Sequence, residues 1–188
     1  MIILEKRGFS VLDVDILGHI AVENKKTAVF SRFGEDIKNP DGSVNRRILG
    51  EKVFGKKSEL AALQEIVHPE ANRLTLEWIE NHKNQHCVIN AALLHKSVIF
   101  ERLDCIILAE APLITRLIRA KKRDKLPWIA IFRRFSSQKQ FSAQYSAGNA
   151  DIYRVKNRGF GNPARLEEKI DSILSGLDIK HLKNEGGF

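Results

Sequence analysis

Four short segments of the chain are almost continuously apolar, and the stretches between them repeat apolar residues every three or four positions. The short segments are SVLDVD (10–15), HCVINAALL (86–94), DCIILAEA (104–111) and ADIYRV (150–155). They lack the alternating polar positions of a half-solvated strand, so they are predicted as strands buried on both faces. Helices are predicted between them, with ends that the sequence marks. ILGHIAVENK (16–25) follows the first strand, Ser58 can cap SELAALQEIV, and Pro69 begins PEANRLTLEWIENHK. Pro112 begins PLITRLIRAKKRD, and Asn162 with Pro163 opens NPARLEEKIDSIL. KNPDGSV (38–44) carries the Asn-Pro and Asp-Gly pairs of a surface turn, and SAQYSAGNA (142–150) is a small polar loop.

Strands that alternate with helices pair in parallel, because each crossover returns the chain to the same end of the sheet. The predicted fold class is therefore α/β, a parallel sheet with helices on both faces. At 188 residues and 43% hydrophobic content, the chain fits a single domain over residues 1–188 that buries more than half of its unfolded surface.

Charge narrows the partners. Thirty-one Lys and Arg against 23 Asp and Glu leave a net +8, which favours phosphate-bearing or polyanionic ligands. A basic nucleic-acid-binding protein is one alternative. Aromatic residues make up only 7% and are mostly Phe in core-like contexts, so base stacking has few candidates and no nucleic-acid partner is expected. No apolar run reaches the roughly 18 residues of a membrane span, and the N-terminus lacks the features of a signal peptide. A cytoplasmic protein without a membrane partner is expected. Cys87 and Cys105 sit inside apolar runs without CxxC spacing and read as reduced core residues.

Ligands of open parallel sheets bind outside the carboxyl ends of the strands. Asp13 and Asp15 fall at such an end, and strand geometry puts side chains two residues apart on one face. A carboxylate there can take the proton of an attacking hydroxyl or hold Mg²⁺, the two tasks that phosphoryl transfer sets an acid. The alternative is that Asp15 caps the helix that follows. After the third strand, Arg116, Arg119 and Arg123 share one helix face, with Lys121, Lys122 and Lys125 nearby. They can clamp phosphate oxygens or form a solvated basic face. Beyond them, Arg133, Arg134 and Lys139 can close over a nucleotide as a lid, or flank packing around Trp128, Ile131 and Phe132.

These residues carry a resemblance to the dephospho-coenzyme A (dephospho-CoA) kinase family, from Leu4 to Gly159. DVDILGH (13–19) resembles the family's DADxIAR. FGEDIKNPDGSVNRRILGEKVF (33–54) resembles FGxxIxxxDGxLxRxxLxxxVF, the most specific block, and VHP (67–69) resembles LHP. LDCIILAEAPLITRLIRAKKRDKL (103–126) resembles a strand, the QLxRxxxRD helix and the lid entry, and ADIYRVKNRG (150–159) resembles the ADxVIxNxG strand with its adenine-side loop. The resemblance implies a P-loop kinase fold with its core at 1–55 and 86–126, substrate-side helices at 45–85, a lid at about 126–148 and a C-terminal strand and helix at 150–176. It implies ATP-dependent phosphorylation of the ribose 3′-hydroxyl of dephospho-CoA, the small-molecule partner, with Mg²⁺. Asp15 matches the catalytic acid, with Asp13 as its structural or Mg²⁺-supporting neighbour. Asp13, His19, Arg46 and His68 fall on the substrate side, whereas Arg119, Arg123, Arg133, Gln138 and Asn157 fall on the ATP and phosphate side.

The chain also departs from the family pattern. Residues 1–188 contain no GxxxxGK[ST] phosphate loop, which the family carries after an N-terminal strand. The expectation is a truncated reading of a longer protein, with about twenty residues upstream on family analogy. Without that central strand, HCVINAA and DCIILAEA are expected to face a gap of two strand spacings, roughly 9.6 Å, with unpaired backbone groups. His19 stands where the family has arginine, Ala92 replaces a proline, Lys96 and Ser97 replace a Glu-Asn pair, and Phe141 and Gln144 take lid positions that are often arginine. These changes bear on substrate grip and lid closure. The alternative they leave open is a degenerate homologue that binds a CoA-like or adenine ligand without chemistry.

Overall fold

A computed structural model of the chain describes residues 1–91, 94, 97–124, 150–157 and 163–177. The sequence reading places one domain over residues 1–188, and the described residues group into two compact units, Met1–Ser97 and Val98–His181.

In the first unit, a short helix α1 (Ile2–Glu5) turns at Gly8, at φ 83°, into β1 (Ser10–Asp13). Four helices follow: α2 (Val14–Asn24), α3 (Lys26–Phe33), α4 (Arg46–Val53) and α5 (Lys57–Asn81). β2 (Cys87–Asn90) then lies parallel to β1, with Ser10 opposite Cys87 and Asp13 opposite Asn90. Ala21, Val29, Phe33, Ile37, Leu49 and Val67 are buried together, so one residue or more from each of α2 to α5 closes this core. Their spacing along each helix is the apolar stripe that drives amphipathic helices to pack.

The sequence reading splits α5 at Pro69 and caps its first half with Ser58. Instead α5 is one helix of 25 residues that starts at Lys57 without a side-chain cap and runs through the proline. A proline inside a helix removes a hydrogen bond and crowds the preceding turn, at a cost of about 3 kcal/mol. Packing on both sides offsets this. Val67 enters the core before the proline. After it, the buried Glu70 carboxylate accepts from Asn24 Nδ2 at 2.7 Å and from Arg73 Nε and Nη2 at 3.1 and 2.8 Å. Glu70 thereby joins α5 to the end of α2. The Arg73 guanidinium first, and then the Asn24 amide, hold the Glu70 carboxyl down at about 2.

In the second unit, β3 (Cys105–Glu110), α6 (Leu113–Asp124), β4 (Asp151–Lys156) and α7 (Pro163–Gly176) follow in order. β3 and β4 pair in parallel from Cys105 opposite Asp151 to Glu110 opposite Lys156. Ile106 and Val155 on the strands and Ile170, Ile173 and Leu174 on α7 are buried. Pro112 immediately precedes α6 and its carbonyl accepts from the Arg116 N–H at 3.0 Å, while Pro163 is the first residue of α7.

All four predicted strands form, and the pairing within each unit is parallel as expected, β1 with β2 and β3 with β4. Their burial corrects the expectation of strands buried on both faces. Each strand of a two-stranded ladder is an edge, and most strand residues are half-buried or exposed. Cys87 and Cys105 are free thiols, half-buried rather than in the core, and burial pushes both upward in pKa. Among the described residues, no helix is long and apolar enough to cross a membrane. The expected lid with Arg133, Gln138, Phe141 and Gln144 lies outside the described residues, as do Ala92 and Lys96.

Candidate functional site

β1 passes into α2 without a loop. Asp13 is both the last strand residue and the helix N-cap, with φ −98° and ψ 108°, and its Oδ1 accepts from the Asp15 N–H at 3.0 Å. Asp15 therefore lies in the first turn of α2. The two carboxylates do not share a strand face, and Asp13, rather than Asp15, takes the capping role. A short polar side chain at a strand end satisfies one of the first orphan helical N–H groups, so the helix begins before the apolar pattern reveals it. The Asp15 carboxylate is exposed and engages no hydrogen bond or ion pair among the described residues.

His19 and Glu23 follow Asp15 at four-residue steps along α2, so the three lie along one face of the helix. Together with Ile20, the turn at Asn39, Ser43, Val44 and Asn45, and the first residues of α4, His19 and Glu23 line a groove of about 600 Å³. The turn is built from within. Asp41 Oδ1 accepts from the Ser43 N–H at 2.9 Å and the Ser43 hydroxyl at 2.6 Å, and these two bonds, the hydroxyl first, hold its carboxyl below the usual range. The Asn39 N–H donates to the Ser43 carbonyl at 2.9 Å, while Gly42 takes φ 79°, which a side chain would strain. The Val44 N–H donates to Glu23 Oε1 at 3.0 Å, which ties the turn to α2.

Asn45 then caps α4, its Oδ1 accepting from the Ile48 N–H at 3.2 Å. Arg46 is thus the first residue of α4, exposed on the groove and without an ion pair among the described residues. Arg47 beside it pairs with Glu51 at 2.9 Å. The structure brings His19 and Arg46 to one groove. His68 lies half-buried within α5 and is not among the groove's lining residues. Glu23 and Asn45 escaped the sequence reading. Asn45 had a legible signal, a capping residue directly before RRIL, whereas the partner of Glu23 is a backbone group 21 residues away.

The second unit gathers polar groups at the carboxyl ends of β3 and β4. The Asn157 N–H donates to the Glu110 carbonyl at 2.7 Å, and its side-chain Oδ1 accepts from Arg119 Nη2 at 3.0 Å. Arg154 donates to the Glu110 carboxylate at 2.5 Å. Arg119 and Asn157, from two separate stretches of sequence, therefore meet. Arg116 and Arg123 are likewise engaged.

Comparison with known proteins gives this arrangement a family. The sequence profile of the dephospho-CoA kinase family matches residues 2–158. The dephospho-CoA kinase of Treponema pallidum is 32% identical over 183 residues, covering 92% of this chain and 86% of that protein, and that of Treponema denticola is 33% identical, covering 89% and 79%. A crystal structure of a Thermus thermophilus protein superposes with a TM-score of 0.75 at 27% identity, over 93% of this chain and 88% of that one. Dephospho-CoA kinase from Campylobacter jejuni superposes with a TM-score of 0.63 at 22% identity, over 92% and 87%, a likeness of fold. The fold class is α/β of this kinase type, and the chain belongs to the dephospho-CoA kinase family, a family of phosphotransferases.

Proposed function

We propose that this chain transfers the terminal phosphoryl group of ATP to the ribose 3′-hydroxyl of dephospho-CoA. The observation that carries the reading is the groove of α2. The exposed His19 and Arg46, the latter without an ion pair among the described residues, face it together, and Asp15 stands about 6 Å from His19 along the helix axis, one turn toward the strand end. Arg46 grips substrate phosphate with a planar fork of donors, and His19 adds a second donor where the family carries arginine. Ile20 covers an apolar part of the ligand. Asp15 accepts a hydrogen bond from the 3′-hydroxyl, orients it and takes its proton as the new oxygen–phosphorus bond forms. Asp13 supports that geometry by starting the helix on which Asp15 sits. His68 completes the substrate side. On the nucleotide side, Arg119 and Arg123 hold phosphate oxygens and Asn157 lies near the adenine, with Arg133 and Gln138 as lid contacts.

Among the described residues, no cluster of three His, Cys, Asp or Glu side chains holds a metal by itself. Mg²⁺ in phosphoryl transfer takes one or two carboxylates and completes its shell with phosphate oxygens and water. Asp15 and the second oxygen of Asp13 would hold it here. When bound, Mg²⁺ neutralises charge on the phosphates.

The reading is tested on the protein purified from its own organism, incubated with ATP, Mg²⁺ and dephospho-CoA, with the product examined by ³¹P NMR. A new phosphate on the ribose 3′-oxygen, formed in step with ADP, is expected. Tight binding of dephospho-CoA without turnover would instead identify a homologue that has lost its chemistry.

A further inference from the structure

Glu23 is an acid in a groove that otherwise presents His19, Arg46 and Arg47. A carboxylate there opposes an anionic substrate unless it has another task. Its neighbours define one. His19 lies four residues before it on α2, and Arg46 and Arg47 approach from α4, with Asn39 and Ser43 from the turn. Among the described residues, the side-chain hydrogen bond that Glu23 makes is with none of these side chains. Its Oε1 accepts from the Val44 N–H at 3.0 Å. Val44 is 3% exposed and its side chain belongs to the core, so its amide is a half-shielded donor that needs this acceptor. The next residue, Asn45, donates its own N–H to the Ile37 carbonyl at 2.7 Å and caps α4, and Arg46 follows directly. Two consecutive backbone N–H groups, one bound to the Glu23 carboxylate on α2 and one to the Ile37 carbonyl, thus fix where α4 begins.

We propose that Glu23 is a positioning residue for the substrate grip. It holds the backbone of Val44 so that α4 starts with the Arg46 guanidinium across the groove from His19, and it acts through Arg46 rather than on the substrate. The proposal rests on the reading of this groove as the dephospho-CoA side of the enzyme.

The test is steady-state kinetics on the native enzyme, with KM measured separately for dephospho-CoA and for ATP. Glu23→Ala is expected to raise KM for dephospho-CoA about tenfold, the effect of leaving one backbone donor unmatched. kcat and KM for ATP should stay within about twofold. Glu23→Gln keeps an oxygen for the Val44 N–H while removing the charge, so it should restore most of the affinity; a Gln variant as poor as Ala overturns the positioning role in favour of charge. The double variant with Arg46→Ala should bind dephospho-CoA no worse than Arg46→Ala alone, since each contact acts through the other. Additive losses overturn the proposal, as does an equal rise in KM for ATP. If Arg46→Ala weakens dephospho-CoA binding and Glu23→Ala does not, the groove reading stands and the positioning role falls. If neither changes KM for dephospho-CoA, both fall.

Discussion

Arg46 and Arg119 are both exposed arginines in candidate phosphate-binding positions, yet the two units hold them in opposite ways. In the first unit the backbone is fixed and the side-chain tip is left open. Asp41 folds the turn, Glu23 anchors Val44, Asn45 caps α4, and Arg46 projects without an ion pair among the described residues. In the second unit the tip itself is held, because Arg119 donates to Asn157, whose backbone is bound to Glu110. An open guanidinium loses rotamer freedom, worth up to about 2 kcal/mol, when it closes on a ligand. A held one has already lost it but must exchange one partner for another. On the proposed function, the grip on dephospho-CoA would depend most on how well the turn and cap aim Arg46, and the grip on ATP on the Arg119–Asn157 pair.

The largest expected effect comes from the group that neither arrangement duplicates. Asp15→Asn should lower kcat by about 10²- to 10⁴-fold, the usual contribution of a positioned general base. Its unfolding midpoint should fall only slightly, since the exposed carboxylate engages no hydrogen bond or ion pair among the described residues and gives up only its first-turn attraction to the α2 N-terminus. Retained turnover would remove Asp15 from the chemistry. Next, Arg46→Ala should raise KM for dephospho-CoA by about 10- to 100-fold, the range for losing a hydrogen bond to a charged group. Arg46→Lys should recover only part of that loss, because the ammonium lacks the planar fork. Equal recovery by lysine would mean that charge alone matters.

A smaller effect sharpens the other side of the comparison. Arg119→Ala should raise KM for ATP about tenfold, and Asn157→Ala should raise it by less, since Arg119 keeps its charge when its holder is removed. The reverse order would make Asn157 the principal ligand. The smallest effect is on stability rather than activity. The Glu70 carboxyl is depressed from near 4.5 to about 2, so its contribution is complete above the ordinary carboxyl value and fades as pH falls toward 2. The gap in urea midpoint between wild type and Glu70→Gln should be widest near neutrality and close between pH 4.5 and 2. A gap independent of pH would mean that Glu70 matters for its shape and not its charge.

Much of the fold was legible because its signals are local. Continuous apolar runs revealed all four strands, and Pro112 and Pro163 marked true helix starts. Pro69 misled because its local rule was overridden by tertiary contacts, above all the bond from Asn24 to Glu70, which lies 46 residues further along the chain. The Asp13–Asp15 pair stood out in the sequence but its geometry did not, since the chain switches from strand to helix at Asp13, where a capping bond to the Asp15 N–H starts α2. His19 and Arg46 were named separately from the family pattern. They share a groove beside which the Val44 N–H reaches Glu23, a pairing that neither periodicity nor spacing encodes.

The most direct measurement is an amide and histidine NMR titration of the native protein with dephospho-CoA, without ATP. The account predicts that shifts concentrate at Val44, Asn45, Arg46 and His19 and extend along α2 to Asp15, while the β3–α6–β4 segment changes little. Shifts confined to Arg119, Asn157 and their neighbours, with the α2 groove silent, would contradict it.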